Sequence, residues 1–148
     1  MKRIGLLSDT HGWLHPETAR IFQHCDEIWH AGDIGSEQLA DELLQIAPLR
    51  AVYGNIDSQD IRMRFPAEVF FTLEGVRVLM THIGGYPRRY TPALRQLIDT
   101  HRPGLVVCGH SHILKIMYDK KHEHLHMNPG AAGKNGFHKK ITFLRFSL

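Results

Sequence analysis

Short apolar runs that break off into glycine, aspartate and histidine recur five times along this chain. Arg3 to Ser8 runs into Ser8-Asp9-Thr10-His11-Gly12, and Glu27 to Ala31 into His30-Ala31-Gly32-Asp33. Leu49 to Tyr53 ends in Gly54-Asn55-Ile56-Asp57, Val76 to Thr81 in Thr81-His82, and Leu105 to Cys108 in Gly109-His110-Ser111-His112. Bounded runs of this length fit buried strands. In α/β sheets the loops at the carboxyl ends of strands form the crevice where ligands bind. Each polar cluster is therefore expected at one common rim.

Between the runs the period changes from strand to helix. Pro16 opens a helix from about Glu17, with Ile21, Phe22 and Cys25 at helical spacing. Ser36 is the expected N-cap of a second, whose stripe is Leu39, Ala40, Leu43, Leu44 and Ala47. Strand–helix–strand–helix–strand with short connections implies a parallel sheet. The pattern then shifts. Asp57 to Glu68 reads as a polar connection, and Val69 to Leu73, Glu74-Gly75 and Val76 to Thr81 read as a hairpin. Thr91-Pro92 starts a further helix that Pro103-Gly104 ends. Ile113 to Tyr118, Glu123 to Met127 and Ile141 to Phe146 look like antiparallel strands. The expectation is one α/β domain over residues 1–148 with two sheets.

Composition matters here mainly for what it excludes. With 43% apolar and 22% charged residues among 148, the chain is neither disordered nor collagen-like. The net charge of +3 is mild, and the basic residues form no concentrated stripe of the kind a nucleic-acid binder shows. Two cysteines make no disulfide framework. Only Ile4 to Leu7 separates Met1-Lys2-Arg3 from Ser8, too short for a signal peptide or a membrane span, so a cytoplasmic setting with no membrane partner is expected.

The twelve histidines are the unusual number. Four of them, His11, His82, His110 and His112, join Asp9, Asp33 and Asn55 in the clusters. Asp9 with His11, and His110 with His112, stand two apart, so in extended backbone each pair points to one side and grips one region. Gly32, Gly54 and Gly109 precede polar residues where a missing Cβ permits close approach. A mixed nitrogen and oxygen donor set suits Mn, Fe, Zn, Ni or Co better than Ca or Mg. It is too large for one tetrahedral ion and suits two, the arrangement for in-line displacement at phosphorus.

The order Asp-x-His, Gly-Asp, Gly-Asn, His, Gly-His-x-His resembles the calcineurin-like metallophosphoesterases. Ser8-Asp9-Thr10-His11-Gly12, Asn128-Pro129-Gly130 and the chain length look like the short YfcE-like phosphodiesterase branch. The resemblance implies a four-layer α/β/β/α sandwich of two mixed sheets. It puts Asp9, His11, Asp33 and His112 around one divalent transition-metal ion, and Asp33, Asn55, His82 and His110 around a second, with Asp33 bridging. It implies a water acidified between the cations that attacks a phosphodiester in line, with Asp33, Asn55 and His110 as the catalytic core. Neutral Asn55 limits the negative charge around the pair. The expected partner is a small phosphate ester. Phosphomonoesters and nucleic acid on the same site are alternatives, as is a non-catalytic scaffold like the retromer subunit of this fold. The complete donor set argues against the scaffold. Two positions depart from the pattern. Ile56 stands where many relatives carry a histidine thought to protonate the leaving group, and Thr81-His82-Ile83-Gly84-Gly85 replaces Thr-His-Gly-His.

Other motifs carry less. His122-Glu123-His124-Leu125-His126 matches the zinc-protease pattern, but that chemistry needs a helix, and Pro129 leaves little room for one. It reads instead as a strand with a solvated histidine face. Gly130-Ala131-Ala132-Gly133-Lys134 is too short between its glycines for a Walker loop and reads as a turn after Asn128-Pro129. Arg88 and Arg89 are candidates to clamp a substrate phosphate. His30 is a candidate to orient a ligand; His15, His24, His101 and His138 carry no signal.

Overall fold

In the computed structural model, which describes residues 1–148, alternation along the first strand, β1 (Arg3–Leu7), feeds two cores at once. Ile4 and Leu6 enter one; Leu7 enters the other, beside Gly5, where an added Cβ would lie 2.7 Å from the Phe22 ring. Parallel to β1 run β2 (Glu27–His30) and then β3 (Leu49–Ala51), while the C-terminal strand closes the other side antiparallel at Leu144–Ser147. Helices α1 (Thr18–Phe22), α2 (Glu37–Leu44) and α3 (Gln59–Arg64) cover the outer face through Phe22, Leu39, Leu43 and Ile61.

The second sheet begins with the hairpin β4 (Glu68–Leu73) and β5 (Val76–Thr81), turned by Glu74 and Gly75 at φ 51° and 77°. Two successive left-handed residues are what a type I′ turn requires. Then come α4 (Pro92–His101), β6 (Leu105–Val107), β7 (Leu114–Asp119) and β8 (His124–Pro129), and the closing strand at Leu144–Ser147 is β9. The sheet orders are β3-β2-β1-β9 and β4-β5-β6-β8-β7, with β5, β6 and β8 parallel and the two edges antiparallel. Between the sheets lie Trp29, Val52, Met80, Val107 and their neighbours; Trp29 meets Phe71 and Phe146 edge-to-face at 5.2 and 5.6 Å. Such pairs contribute about 0.5–1.5 kcal/mol each beyond the area they bury. On the far side, Leu94 and Ile98 of α4 pack on Leu79, Val106 and Cys108. The result is the expected α/β/β/α sandwich of two mixed sheets.

The helix ends follow their sequence signals. Ser36 Oγ accepts from Leu39 N, and Thr91 Oγ1 from Leu94 N, each at 3.2 Å. Three expectations change. The polar connection from Asp57 to Glu68 contains α3, stabilised by burial of Ile61 and by Asp60 at its start and Arg62 and Arg64 at its end, which complement the helix dipole. The last strand starts at Leu144, not Ile141, because Thr142 N donates to Ala131 O and ties the segment before it to the loop after β8. His122 to His126 does enter a strand, but the histidine face is not solvated: His124 and His126 are buried. β8 lies inside its sheet between β6 and β7, so Leu125 and Met127 face the inter-sheet core while His124 and His126 lie beneath Tyr90. No helix is long and apolar enough to cross a membrane.

Candidate metal centre

All five polar clusters begin within three residues of a strand's carboxyl end: after β1, β2, β3, β5 and β6. The turns there are not extended. Asp9, His11, Asp33, His110 and His112 have φ of 56°, 49°, 57°, 72° and 63°, a left-handed region that non-glycine residues rarely enter. Such residues concentrate where a ligand geometry is worth the strain. This changes the reading of the paired spacing. Asp9 and His11 still converge, with His112, but His110 turns away from His112 and joins Asp33 and His82. The left-handed turn at each residue, not strand alternation, sets these directions.

Within each group the donor atoms lie within 4.8 Å of one another. The groups also touch. Asp33 Oδ2 lies 3.3 Å from both His11 Nε2 and His82 Nε2, and His112 Nε2 lies 3.2 Å from Asp9 Oδ1. Asn55 Oδ1 lies 3.1 Å from both His82 Nε2 and His110 Nδ1. Backbone cannot approach this closely with any larger residue in place: a Cβ on Gly54 would lie 2.1 Å from Asp33 Oδ1, and one on Gly109 2.2 Å from Ser8 Oγ.

The hydrogen bonds around the centre leave lone pairs inside it. His82 Nδ1 lies 2.7 Å from Ala31 O. A carbonyl only accepts, so Nδ1 carries the proton and the lone pair of Nε2 faces Asp33 and Asn55. Asp9 Oδ2 accepts from Ser8 Oγ and His110 N, while Asp9 Oδ1, like His11 Nε2, is buried with no hydrogen-bond partner. Acceptors crowded together without a donor are costly unless a cation lies among them. Without a metal, protons answer that demand: burial would lower the His82 pKa, but the Asp33 hydrogen bond and the charges of Asp9 and Asp33 raise it. Burial likewise opposes ionisation of Asp33, yet His82, Ile56 N–H and His11 hold its carboxyl below the usual range. His112, with burial foremost, is lowered. The residues present therefore fit divalent cations, four donor groups to a side when Asp33 is shared.

Supporting residues fix the loops. His30 is fully buried; Gly32 N donates to its Nδ1, so Nε2–H donates to Thr10 Oγ1 at 2.9 Å, tying the Asp9–His11 turn to the Asp33 turn. Burial pushes His30 down to about 3, so it stays neutral. Asn128 Nδ2 donates to Gly109 O and Ser111 Oγ while its Oδ1 accepts from Gly130 N. Ala132 N and Gly133 N donate to Ser8 O and Asp9 O, so the turn after Asn128-Pro129 braces the centre.

Two contributors escape the sequence reading. The buried Asp57 carboxylate accepts from Ile34, Gly35 and Gly54 N–H, knitting the β2 and β3 loops. Its signal was an aspartate three residues after a turn glycine, a residue type that bonds to nearby backbone. His138 packs edge-on against His112, ring centroids 5.1 Å apart, from an irregular segment that offers no pattern. Arg88 and Arg89 are exposed on the loop after β5, and neither lines the cavity above the centre.

A two-sheet sandwich with aspartate and histidine donors gathered at its strand ends defines a metallophosphoesterase class of protein. A sequence model of the calcineurin-like phosphoesterase superfamily domain matches residues 1–148, and the chain belongs to that superfamily. A probable metallophosphoesterase of Methanothermobacter thermautotrophicus is 33% identical over 117 residues, 74% of this chain and 66% of that one. The chain spans about two thirds of the length of the curated relatives it matches. Among solved structures, a novel archaeal phosphodiesterase superposes with TM-score 0.69 at 24% identity, covering 88% of this chain and 84% of that one. The zinc complex of Entamoeba histolytica Vps29 gives TM-score 0.69 at 16% identity, covering 88% and 74%. These two likenesses establish fold.

Proposed function

We propose that this protein hydrolyses phosphodiesters at a centre of two divalent transition-metal ions. Asp9, His11, Asp33 and His112 hold one, and Asp33, Asn55, His82 and His110 the other. The observation that carries this reading is the convergence of lone pairs, with Asp9 Oδ1 and His11 Nε2 buried and unpartnered. Bound there, the ions supply an acidified water and positive charge for the phosphoryl oxygens. The chain's own residues set the geometry: Asp33, between His11 and His82, would be shared by the two ions, and neutral Asn55 would ligate the second without adding charge. Ile56 contributes no proton, so the departing oxygen takes its proton from water. The cavity above the centre is lined by no Lys or Arg, which favours a singly charged diester over a monoester dianion. The likeness to an archaeal phosphodiesterase supports the same substrate class, and the two free cysteines suit a cytoplasmic setting. A scaffold role, suggested by Vps29, leaves the donor set without a purpose.

The test is to strip the protein with chelator, restore Mn, Ni, Zn, Fe or Co singly, and measure bound metal together with hydrolysis of bis(4-nitrophenyl) phosphate. Two ions per chain and recovered turnover with at least one metal are expected. A chain that binds none and stays inactive with all five would overturn the reading.

A further inference from the structure

The seven donors account for a phosphoryl group; the remainder of a substrate meets the cavity wall. The cavity measures about 530 Å³ and contains His11, Asp33, Asn55, His110 and His112. Its three apolar lining residues are Ile56, Ile113 and Phe137, which are 45%, 57% and 105% exposed. Single exposed apolar side chains are ordinary on protein surfaces. Three that line one cavity beside convergent polar groups have the make-up of a ligand site.

Each is anchored to the centre. Ile56 N donates to Asp33 Oδ1 at 3.1 Å, and Ile113 N donates to Ser111 Oγ at 3.2 Å, between the donors His110 and His112 and the strand β7. Phe137 follows Gly136, whose φ of 124° and lack of Cβ let the backbone press on His112; a Cβ there would lie 2.3 Å from His112 Nδ1. A bulky aromatic ring is thus carried to the cavity next to a glycine that both its backbone conformation and this close approach require. No lysine or arginine lines the wall to meet a second negative group.

We infer that this wall selects phosphodiesters that carry an apolar or aromatic arm, with Phe137 as the principal specificity-determining residue. The inference rests on the phosphoesterase reading and names its substrate class. A polyanion such as a nucleoside polyphosphate finds no second anchor in the cavity. A flat arm finds the Phe137 ring together with Ile56 and Ile113.

The experiment compares diphenyl phosphate with dimethyl phosphate, two monoanions of equal charge, binding to metal-reconstituted wild type and Phe137→Ala by ligand-observed NMR. Diphenyl phosphate should bind at least tenfold more tightly to wild type. Phe137→Ala should lose roughly tenfold of that affinity, the scale of one aromatic contact, and Phe137→Trp should retain it. Phe137 is fully exposed, so the variants keep the fold. Equal affinity for the two phosphates, or an unchanged diphenyl preference in Phe137→Ala, would overturn the inference. Failure of the underlying reading is distinct: no hydrolysis of bis(4-nitrophenyl) phosphate with any metal, while the binding difference persists.

Discussion

Two histidine clusters sit at opposite ends of the same sheet logic, and only one has the makings of a metal centre. At the strand ends, His11, His82, His110 and His112 face Asp9 and Asp33; beneath Tyr90, His124 and His126 lie near His122 and Asp119. The second cluster is closed around the Asp119 carboxylate and the Tyr90 hydroxyl, although His124 Nδ1 and His126 Nε2 are buried with no hydrogen-bond partner. Asp119 Oδ1 accepts from Lys121 N and His122 N, its Oδ2 lies 2.8 Å from His122 Nδ1, and the Tyr90 hydroxyl is 2.9 Å from both His124 Nε2 and His126 Nδ1. A hydroxyl donates one proton and accepts another, so one of these histidines receives from Tyr90 while the other gives. In the strand-end cluster the Ser8 hydroxyl serves only Asp9 Oδ2, and the inward-facing Asp9 Oδ1 and His11 Nε2 have no hydrogen-bond donor of their own. Histidine count does not separate ligand sets from core polar networks. The local supply of donors does.

The largest expected contrast comes from removing the central carboxylate of each cluster. Asp33→Ala takes away the group facing both His11 and His82 and should lower phosphodiester turnover on the order of 10²–10³-fold or more, the scale for losing one charge-stabilising group, with less than two ions bound per chain. Asp119→Ala should leave metal content at two. Its cost should appear in the urea midpoint, because Lys121 and His122 N–H lose their acceptor. Metal analysis of the two purified variants decides it; equal metal content in both would erase the distinction.

A smaller effect sharpens the closed cluster. Tyr90→Phe keeps the ring over β8 and removes only the hydroxyl, leaving His124 Nε2 and His126 Nδ1 buried without a partner. Leaving buried polar groups unpaired costs about 1–3 kcal/mol. Denaturant unfolding should show that loss with an unchanged m-value, while turnover stays within about twofold. A variant as stable as wild type would mean that the hydroxyl is idle.

The contrast also explains what the sequence made legible. Apolar runs ending in Gly-Asp, Gly-Asn or Gly-His-x-His locate the rim, because a run's length and its abrupt polar end are both local. Ser36 and Thr91 mark helix starts by the same local chemistry. The ligand directions were less legible: His110 and His112 diverge through left-handed backbone that no side-chain pattern announces. α3 was hidden because a six-residue helix carries one buried residue, Ile61, and no period. From sequence the closed cluster reads as solvated, because burial of His124 and His126 depends on β8 lying between β6 and β7, a non-local fact of sheet order. Phe137 and His138 reach the centre from irregular chain, where no periodicity operates.

Titration is the gentlest probe of the closed cluster. Burial first, then the His124 charge, lowers His126 to about 4. An unfolded histidine binds its proton near 6.5. Between these values the unfolded chain holds more protons than the folded one, so stability rises with pH. It is lost as pH falls below about 6.5 and levels off near 4. One such group contributes a slope of at most about 1.4 kcal/mol per pH unit. His82, raised by its carboxylates, acts in the opposite sense and is lost as pH climbs through its folded value, so wild type alone mixes the two. His126→Phe removes one titration and keeps a ring in place. Urea midpoints at pH 7.5 and 5.0 should fall less for the variant than for wild type, by roughly one histidine's share. Equal falls would mean that His126 takes up its proton in the folded state as readily as in the unfolded one, and would leave the acid sensitivity to other groups such as His30, His124 and the strand-end centre.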